Sequence, residues 1–139
     1  MRDDNCIFCK LANGDIPTNT LYEDELVRVI LDASPATKGH SLILPKEHYR
    51  NLFDLDDKYA AHILTVAKKL ANAMKKSLGC SGLNLMQNNE TIAGQTVFHF
   101  HLHVIPRYED DNLNLAFKPG NLNTEDAKLL CKKISDALQ

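Results

Sequence analysis

Charge of either sign has little excess in this chain of 139 residues: 16 Lys and Arg stand against 18 Asp and Glu, a formal net charge of -2. Without a global basic field, nonspecific binding to nucleic acid or to an anionic membrane surface is not expected, and any bound anion must be held by local groups. Long apolar runs are missing as well, and those present fall far short of a membrane span. The opening residues, Met-Arg-Asp-Asp-Asn-Cys, lack the apolar core of a signal peptide. No repeat, low-complexity tract or linker breaks the sequence. These absences point to a cytoplasmic protein of one domain, spanning 1–139, with no membrane or nucleic-acid partner. An apolar content of 44% beside 24% charged residues suits a globular domain of this length.

What the chain does have is Val97–Pro106, read as Val-Phe-His-Phe-His-Leu-His-Val-Ile-Pro, which holds three of its six histidines. His99, His101 and His103 alternate with Phe98, Phe100, Leu102 and Val104. On a strand, successive side chains point to opposite faces, so this spacing predicts three imidazoles on one face and an apolar row on the other. Cys6 and Cys9 form a Cys-x-x-Cys pair, a metal or redox candidate in a reducing compartment. Cys80 and Cys131 read as small packed side chains, and His62 as a solvated surface histidine.

Around that stretch the periodicities predict an antiparallel α+β domain. Cys6-Ile-Phe-Cys9 begins a short segment of one or two helical turns, closed by Asn13-Gly14-Asp15 and Ile16-Pro17. Thr20–Glu23, Leu26–Leu31 and His40–Pro45 read as strands, the first two joined by the acidic turn Glu23-Asp24-Glu25. Tyr59, Ile63, Val66, Ala67, Leu70, Met74 and Leu78 step by three and four, which marks a long helix. Asp54 or Asp56 caps its start and Gly79 its end. Leu83–Asn88 and Val97–Pro106 complete five strands, with a polar loop over Asn88–Thr96 between them. After a loop over Arg107–Gly120, Thr124–Leu138 is a last helix capped by Asn123 or Thr124, with Ala127, Leu130, Cys131, Ile134 and Leu138 on one side. The fold class is thus a five-stranded antiparallel sheet, with one long helix before the last two strands and a C-terminal helix.

Alternate residues on a strand have Cα atoms roughly 7 Å apart, so two of these imidazoles could converge on one metal or line up along one substrate. A neutral imidazole is a good nucleophile near pH 7, and a hydrogen bond to one ring nitrogen fixes which other nitrogen is free. Phosphorus is a suitable electrophile, because two successive displacements pass through a phospho-histidine that water can hydrolyse.

The run His99-Phe-His101-Leu-His103-Val-Ile resembles the His-φ-His-φ-His-φ-φ signature of the histidine triad superfamily of nucleotide hydrolases and transferases. Supporting stretches resemble it too: Asp32, then Gly39-His40-Ser-Leu-Ile-Leu-Pro45-Lys46, then Asn88, then Gly94-Gln95-Thr96. Within that superfamily the chain is most similar to the Hint branch, in its bacterial zinc-containing form. The resemblance implies an α+β domain that pairs as a homodimer, joining two sheets into one of ten strands.

It also implies roles. His101 resembles the nucleophile attacking the α-phosphorus, His103 the ring binding the phosphate oxygens, His99 the ring orienting the row, and His40 the relay behind the nucleophile. Asp32 would accept from the ribose hydroxyls, while Asn88, Gly94, Gln95 and Thr96 would contact phosphate, Thr96 also assisting the leaving group. Three histidines suit hydrolysis, whereas the related sugar-phosphate uridylyltransferases carry glutamine in the third place.

Cys6, Cys9, His48 and His99 resemble the closed Cys₂His₂ zinc site of some relatives, which would anchor segment 1–17 structurally, with no catalytic metal; 107–139 would be loop and C-terminal helix. The implied activity is hydrolysis of nucleoside phosphoramidates or related nucleotidyl esters on a purine nucleotide. Three other readings stand beside it: a dinucleoside polyphosphate hydrolase, a nucleotide-binding regulatory protein with vestigial catalysis, and a metallohydrolase using the histidine row as ligands.

Overall fold

The stripe that steps by three and four forms a 22-residue helix, α2, Asp57–Leu78, and it determines which face of the sheet is the core. Asp56 accepts from the Lys58 N–H at its start, Lys75 and Lys76 lie in its last turn, and Gly79 closes it in the left-handed conformation. Asp54 instead takes part in the capping of the short 3₁₀ turn Leu52–Asp54. The computed structural model describes residues 1–138. In chain order its other elements are α1 (Ile7–Asn13), β1 (Thr20–Glu23), β2 (Val27–Leu31), β3 (Ser41–Pro45), β4 (Gly82–Met86), β5 (Leu102–Arg107) and α3 (Thr124–Ala137).

The five strands make one antiparallel sheet in the order β1-β2-β3-β5-β4. One face packs on α2: Val27, Val29, Ile43, Phe100 and Val104 meet Tyr59, Ile63, Val66, Ala67, Leu70 and Met74. Burying a large aliphatic side chain contributes about 1.5–3 kcal/mol, so this face holds most of the packing free energy. The other face carries Ile30, Leu42 and Leu44 under Ala12, Phe8 and Leu11 of α1. Leu42 pairs with His103, which puts the histidine row on the α1 side and its apolar row on the α2 side, as the alternation predicts. Gly39 holds φ +89 beside Leu78, whose Cδ1 would sit 2.7 Å from an added Cβ; only glycine fits this approach to His40.

The last strand is shorter than the sequence predicts. β5 begins at Leu102, so His99 and His101 precede the ladder that Val97–Pro106 was expected to form throughout. Pro45 supplies the physical reason. The Lys46 N–H reaches Leu26 O on the β2 side, so the alternate residues of β3, Pro45 among them, turn their backbone groups toward β5. Proline has no N–H to extend the ladder past Ile43–Leu102, and Phe100 N–H goes instead to Tyr49 O. Other strand ends differ from expectation by one or two residues.

Two further expectations are corrected. His62 is half-buried, its Nε2 2.6 Å from Asp24 Oδ2, so it pins the β1–β2 turn to α2 and is not a free surface histidine. Cys131 is exposed and not packed, whereas Cys80 is buried as expected. Among the described residues, helix α3 has no fully buried side chain. Among the described residues no helix is long and apolar enough to cross a membrane.

Candidate active site

The seven-residue helix α1 builds two neighbouring features at once. Cys6 caps it, its Sγ accepting from the Cys9 N–H at 3.4 Å, and Gly14 closes it with φ +82. This turn brings Cys6 and Cys9 beneath His48 and His99, and the four donor atoms lie within 4.8 Å of one another. Cys6 Sγ–His99 Nδ1, Cys9 Sγ–His99 Nδ1 and Cys9 Sγ–His48 Nδ1 are 3.5, 3.4 and 3.6 Å. Tetrahedral zinc with its usual bond lengths sets its sulfur and nitrogen ligands roughly 3.5 Å apart, so these residues fit the ion. His99 is fully buried, and its Nε2 donates to Pro45 O at 2.9 Å, which turns the Nδ1 lone pair toward the cysteines. Burial pushes the Cys9 thiol up to about 11, countered in part by the Asp3 N–H, so a cation would be needed to hold it as thiolate.

On the same side of the sheet lies a cavity of about 480 Å³. Its lining includes Phe8 and Leu11 of α1, Ile30, Leu42 and Asp32, and His101, His103, Asn88, Gly94 and Thr96. Phe8 stands edge-on to His101 at 4.9 Å between ring centroids, and His101 to His103 at 5.0 Å.

The hydrogen-bond partners assign each ring a tautomer. His101 Nδ1 lies 2.7 Å from His99 O, which can only accept; Nδ1 therefore carries the proton and Nε2 the lone pair. The Ala36 N–H donates to His40 Nδ1 at 2.8 Å, so His40 carries its proton on Nε2 and gives it to His103 Nδ1 at 2.9 Å. His103 in turn carries its proton on Nε2. Adjacent rings thus offer opposite functions, a lone pair on His101 and an N–H on His103.

Burial lowers His101 below its ordinary value, opposed by the bond to His99 O and by the Asp32 carboxylate. Burial, with His101 and His40 alongside, brings His103 down to about 4, and both rings stay neutral at pH 7. Asp32 sits behind them, accepting from the Ser34 N–H at 2.8 Å and 3.5 Å from His40 Nε2. Asp32, His40 and His103 also cluster closely, but the 2.9 Å His40–His103 separation is that of a hydrogen bond and shorter than ligands sharing one metal.

The expected relay is placed differently: His40 lies behind His103, not behind His101. Gln95 does not border the cavity. It is 2% exposed, its Oε1 accepting from Glu90 N–H and Asn51 Nδ2 and its Nε2 donating to Arg50 O and Val97 O. All four of its bonding positions are used inside the protein, so its side chain has none left for phosphate. Gly94 takes φ +93 next to Asn88 at the cavity edge, as backbone approach requires. Arg107 is held by Asp111 and does not reach the site. The apolar wall of Phe8, Leu11, Ile30 and Leu42 was missed by sequence reasoning, since its members sit on three separate elements and carry no spacing signal.

Residues 13–110 match the family model described as "HIT domain". The chain is 38% identical over 136 residues to adenosine 5'-monophosphoramidase hnt1 of Schizosaccharomyces pombe, covering 97% of this chain and 99% of that one. A HIT family protein from Bacillus anthracis superposes with a TM-score of 0.91 at 42% identity, covering 98% and 99% of the two chains. A zinc-bound histidine triad family protein from Mycobacterium smegmatis superposes with a TM-score of 0.75 at 36% identity, covering 96% and 97%. On this match across the histidine row, and on a shared architecture of five antiparallel strands, the chain belongs to the HIT domain family.

Proposed function

We propose that this chain is a nucleotide-binding hydrolase that cleaves nucleoside 5′-phosphoramidates, or related nucleotidyl esters, through a covalent nucleotidyl-His101 intermediate. The observation that carries the reading is the bond from His101 Nδ1 to His99 O, which leaves the Nε2 lone pair unpaired beside the cavity. Nε2 attacks the α-phosphorus; the bond from phosphorus to the leaving nitrogen or oxygen breaks, and its electron pair departs and takes up a proton. The His103 Nε2–H donates to a non-bridging oxygen as charge develops there, with His40 holding that ring in the donating tautomer. Thr96 hydrogen-bonds the leaving group, Asn88 and the Gly94 backbone border the phosphate, and Asp32 accepts from the ribose hydroxyls. Water then attacks the phospho-histidine, releasing the nucleoside monophosphate and restoring His101. The flat apolar wall around Phe8 and Ile30 suits a purine base.

In the same reading Cys6, Cys9, His48 and His99 hold a structural zinc that anchors segment 1–17, and no metal acts at phosphorus. The chain works as one domain over 1–139, in the cytoplasm, as a homodimer whose two sheets join. Adenosine phosphoramidate tests this directly: the expected outcome is release of AMP, with a covalent adduct trapped at His101 by intact-mass spectrometry on a slow substrate. His101→Asn is expected to lower turnover at least about a thousandfold. Full turnover in that variant would overturn the nucleophile, and tight AMP binding by the unaltered protein without turnover of any nucleotidyl substrate would overturn the enzyme.

A further inference from the structure

The loop between β2 and β3 runs over the surface, with Ala33, Ser34, Pro35, Ala36 and Lys38 all exposed. Thr37 alone among residues 33–38 is buried, and its hydroxyl donates to Pro106 O at 2.6 Å. Next to it the Tyr108 hydroxyl donates to Lys38 O at 2.7 Å. Two adjacent loop residues are thus clamped onto the end of β5, the strand that carries His103. Gly39 lets the chain pass this close, since a Cβ there would come within 3.4 Å of the Pro106 ring.

What the clamped loop presents is a backbone donor. The Ala36 N–H, one residue before Thr37, reaches His40 Nδ1 at 2.8 Å, and the His40 N–H closes the turn on Thr37 O at 3.1 Å. On the far side of that ring, the 2.9 Å bond between His40 Nε2 and His103 Nδ1 can be made by two proton arrangements. In the first, His40 gives the proton and His103 keeps its own on Nε2, a donor toward the cavity. In the second, His103 gives its Nδ1 proton and turns a lone pair to the cavity, which would repel a phosphate oxygen. An N–H aimed at His40 Nδ1 is compatible only with the first. The Asp32 carboxylate, 3.5 Å from His40 Nε2, favours the same arrangement at longer range.

An exposed alanine has no side chain to hold its N–H in place; that N–H stays on His40 because the next residue is tied down. We infer that Thr37 is a positioning residue for the reaction: its bond to Pro106 holds the Ala36 N–H on His40 and thereby selects the arrangement in which His103 donates. In the hydrolase reading above, on which this rests, the selected N–H is the one that meets the phosphate oxygen. The choice of tautomer, however, is readable without substrate.

The test compares the unaltered protein with Thr37→Val, Thr37→Ser and Tyr108→Phe, by imidazole nitrogen-15 shifts at pH 7 and by kcat and KM on adenosine phosphoramidate. Valine keeps the shape of threonine and removes the donor. In Thr37→Val the His40 and His103 shifts are expected to move together toward averaged values, while His101, tied to His99 O, stays put. Turnover is expected to fall about tenfold in kcat with KM within about twofold, the scale of one lost hydrogen bond to a neutral group, and Thr37→Ser restores both. Tyr108→Phe removes the neighbouring clamp at an exposed bond and is expected to move the same two shifts by less. Unmoved His40 and His103 shifts in Thr37→Val, even with kcat lowered, would overturn the proposal and leave Thr37 a plain structural tie; should that variant not fold, unmoved shifts in Tyr108→Phe would do so. Averaged shifts with kcat unchanged would overturn it too, since the reaction would not use the selected proton. Absence of turnover in the unaltered protein would instead strike the hydrolase reading, and the nitrogen shifts would still decide what Thr37 holds.

Discussion

Replacing Gln95 by Ala separates two roles that its position next to Gly94 leaves indistinguishable in the sequence. A phosphate ligand at the cavity edge would leave stability unchanged and raise KM. A buried brace behaves differently. Gln95 ties Glu90 N–H, Asn51, Arg50 O and Val97 O into one unit, and Glu90 holds φ 71, a conformation non-glycine residues rarely adopt.

Truncation to Ala removes four bonds at once. Arg50 O and the Glu90 N–H lie near enough to solvent to find water, while Asn51, 1% exposed, keeps its bond to Glu90 Oε1. One or two stranded groups at about 1–3 kcal/mol each therefore give a loss of about 3 kcal/mol. For a domain of this size that corresponds to a fall in Tm of roughly 12 °C. Because Val97 leads directly into the histidine segment, kcat is expected to fall as well, measured below the variant's Tm. Circular dichroism melts of both proteins at pH 7.5 decide the matter. A Tm within about 2 °C of the unaltered protein, together with a raised KM, would refute the brace and restore the phosphate contact.

Nitrogen-15 shifts at pH 7 are expected to show His101 protonated at Nδ1 and His103 at Nε2; a tautomer mixture at either ring would refute the assignments drawn from the hydrogen bonds. Chelation, or His48→Ala, is expected to remove about one equivalent of zinc per chain and lower Tm, read by elemental analysis and melting; a metal-free purified protein with an unchanged melt would overturn the site. Burial raises the Asp24 carboxyl, but the Val27 and Leu26 N–H groups, His62 and Tyr22 outweigh it and leave Asp24 at about 2, below its ordinary 3.8. A depressed carboxylate stabilises the fold above its unfolded value and loses that contribution as pH falls from about 4 to about 2, here at most about 2 kcal/mol. Urea melts of Asp24→Asn across this range should lack that slope, and an unchanged slope would place the acid sensitivity elsewhere.

The sequence made the histidine face legible because alternation is a local property: Phe100, Leu102 and Val104 had to point away from His101 and His103. It also made α2 legible, since one stripe and two caps agree. Where the ladder stops was not legible, because that depends on which neighbour Pro45 faces across the sheet. Gln95 was misplaced for a similar reason, since its four partners are brought together only by folding. The spacing of Leu130, Ile134 and Leu138 named an apolar side of α3, but spacing along one helix does not say whether that side is buried, and here it is exposed.

The early stop of the last strand has a consequence for how chemical identity is assigned to identical side chains. In an unbroken ladder, the carbonyl of Pro45 would be taken up by a backbone N–H of the neighbouring strand. Here Phe100 has gone to Tyr49 and β4 has ended at Met86, which leaves the carbonyls of Pro45 and His99 spare. Each is occupied by an imidazole, and each thereby decides where that ring keeps its proton. One missing donor at position 45 is in this sense a piece of instruction: it frees a carbonyl that sets the proton of His99, while His103 takes its own setting from the His40 side chain.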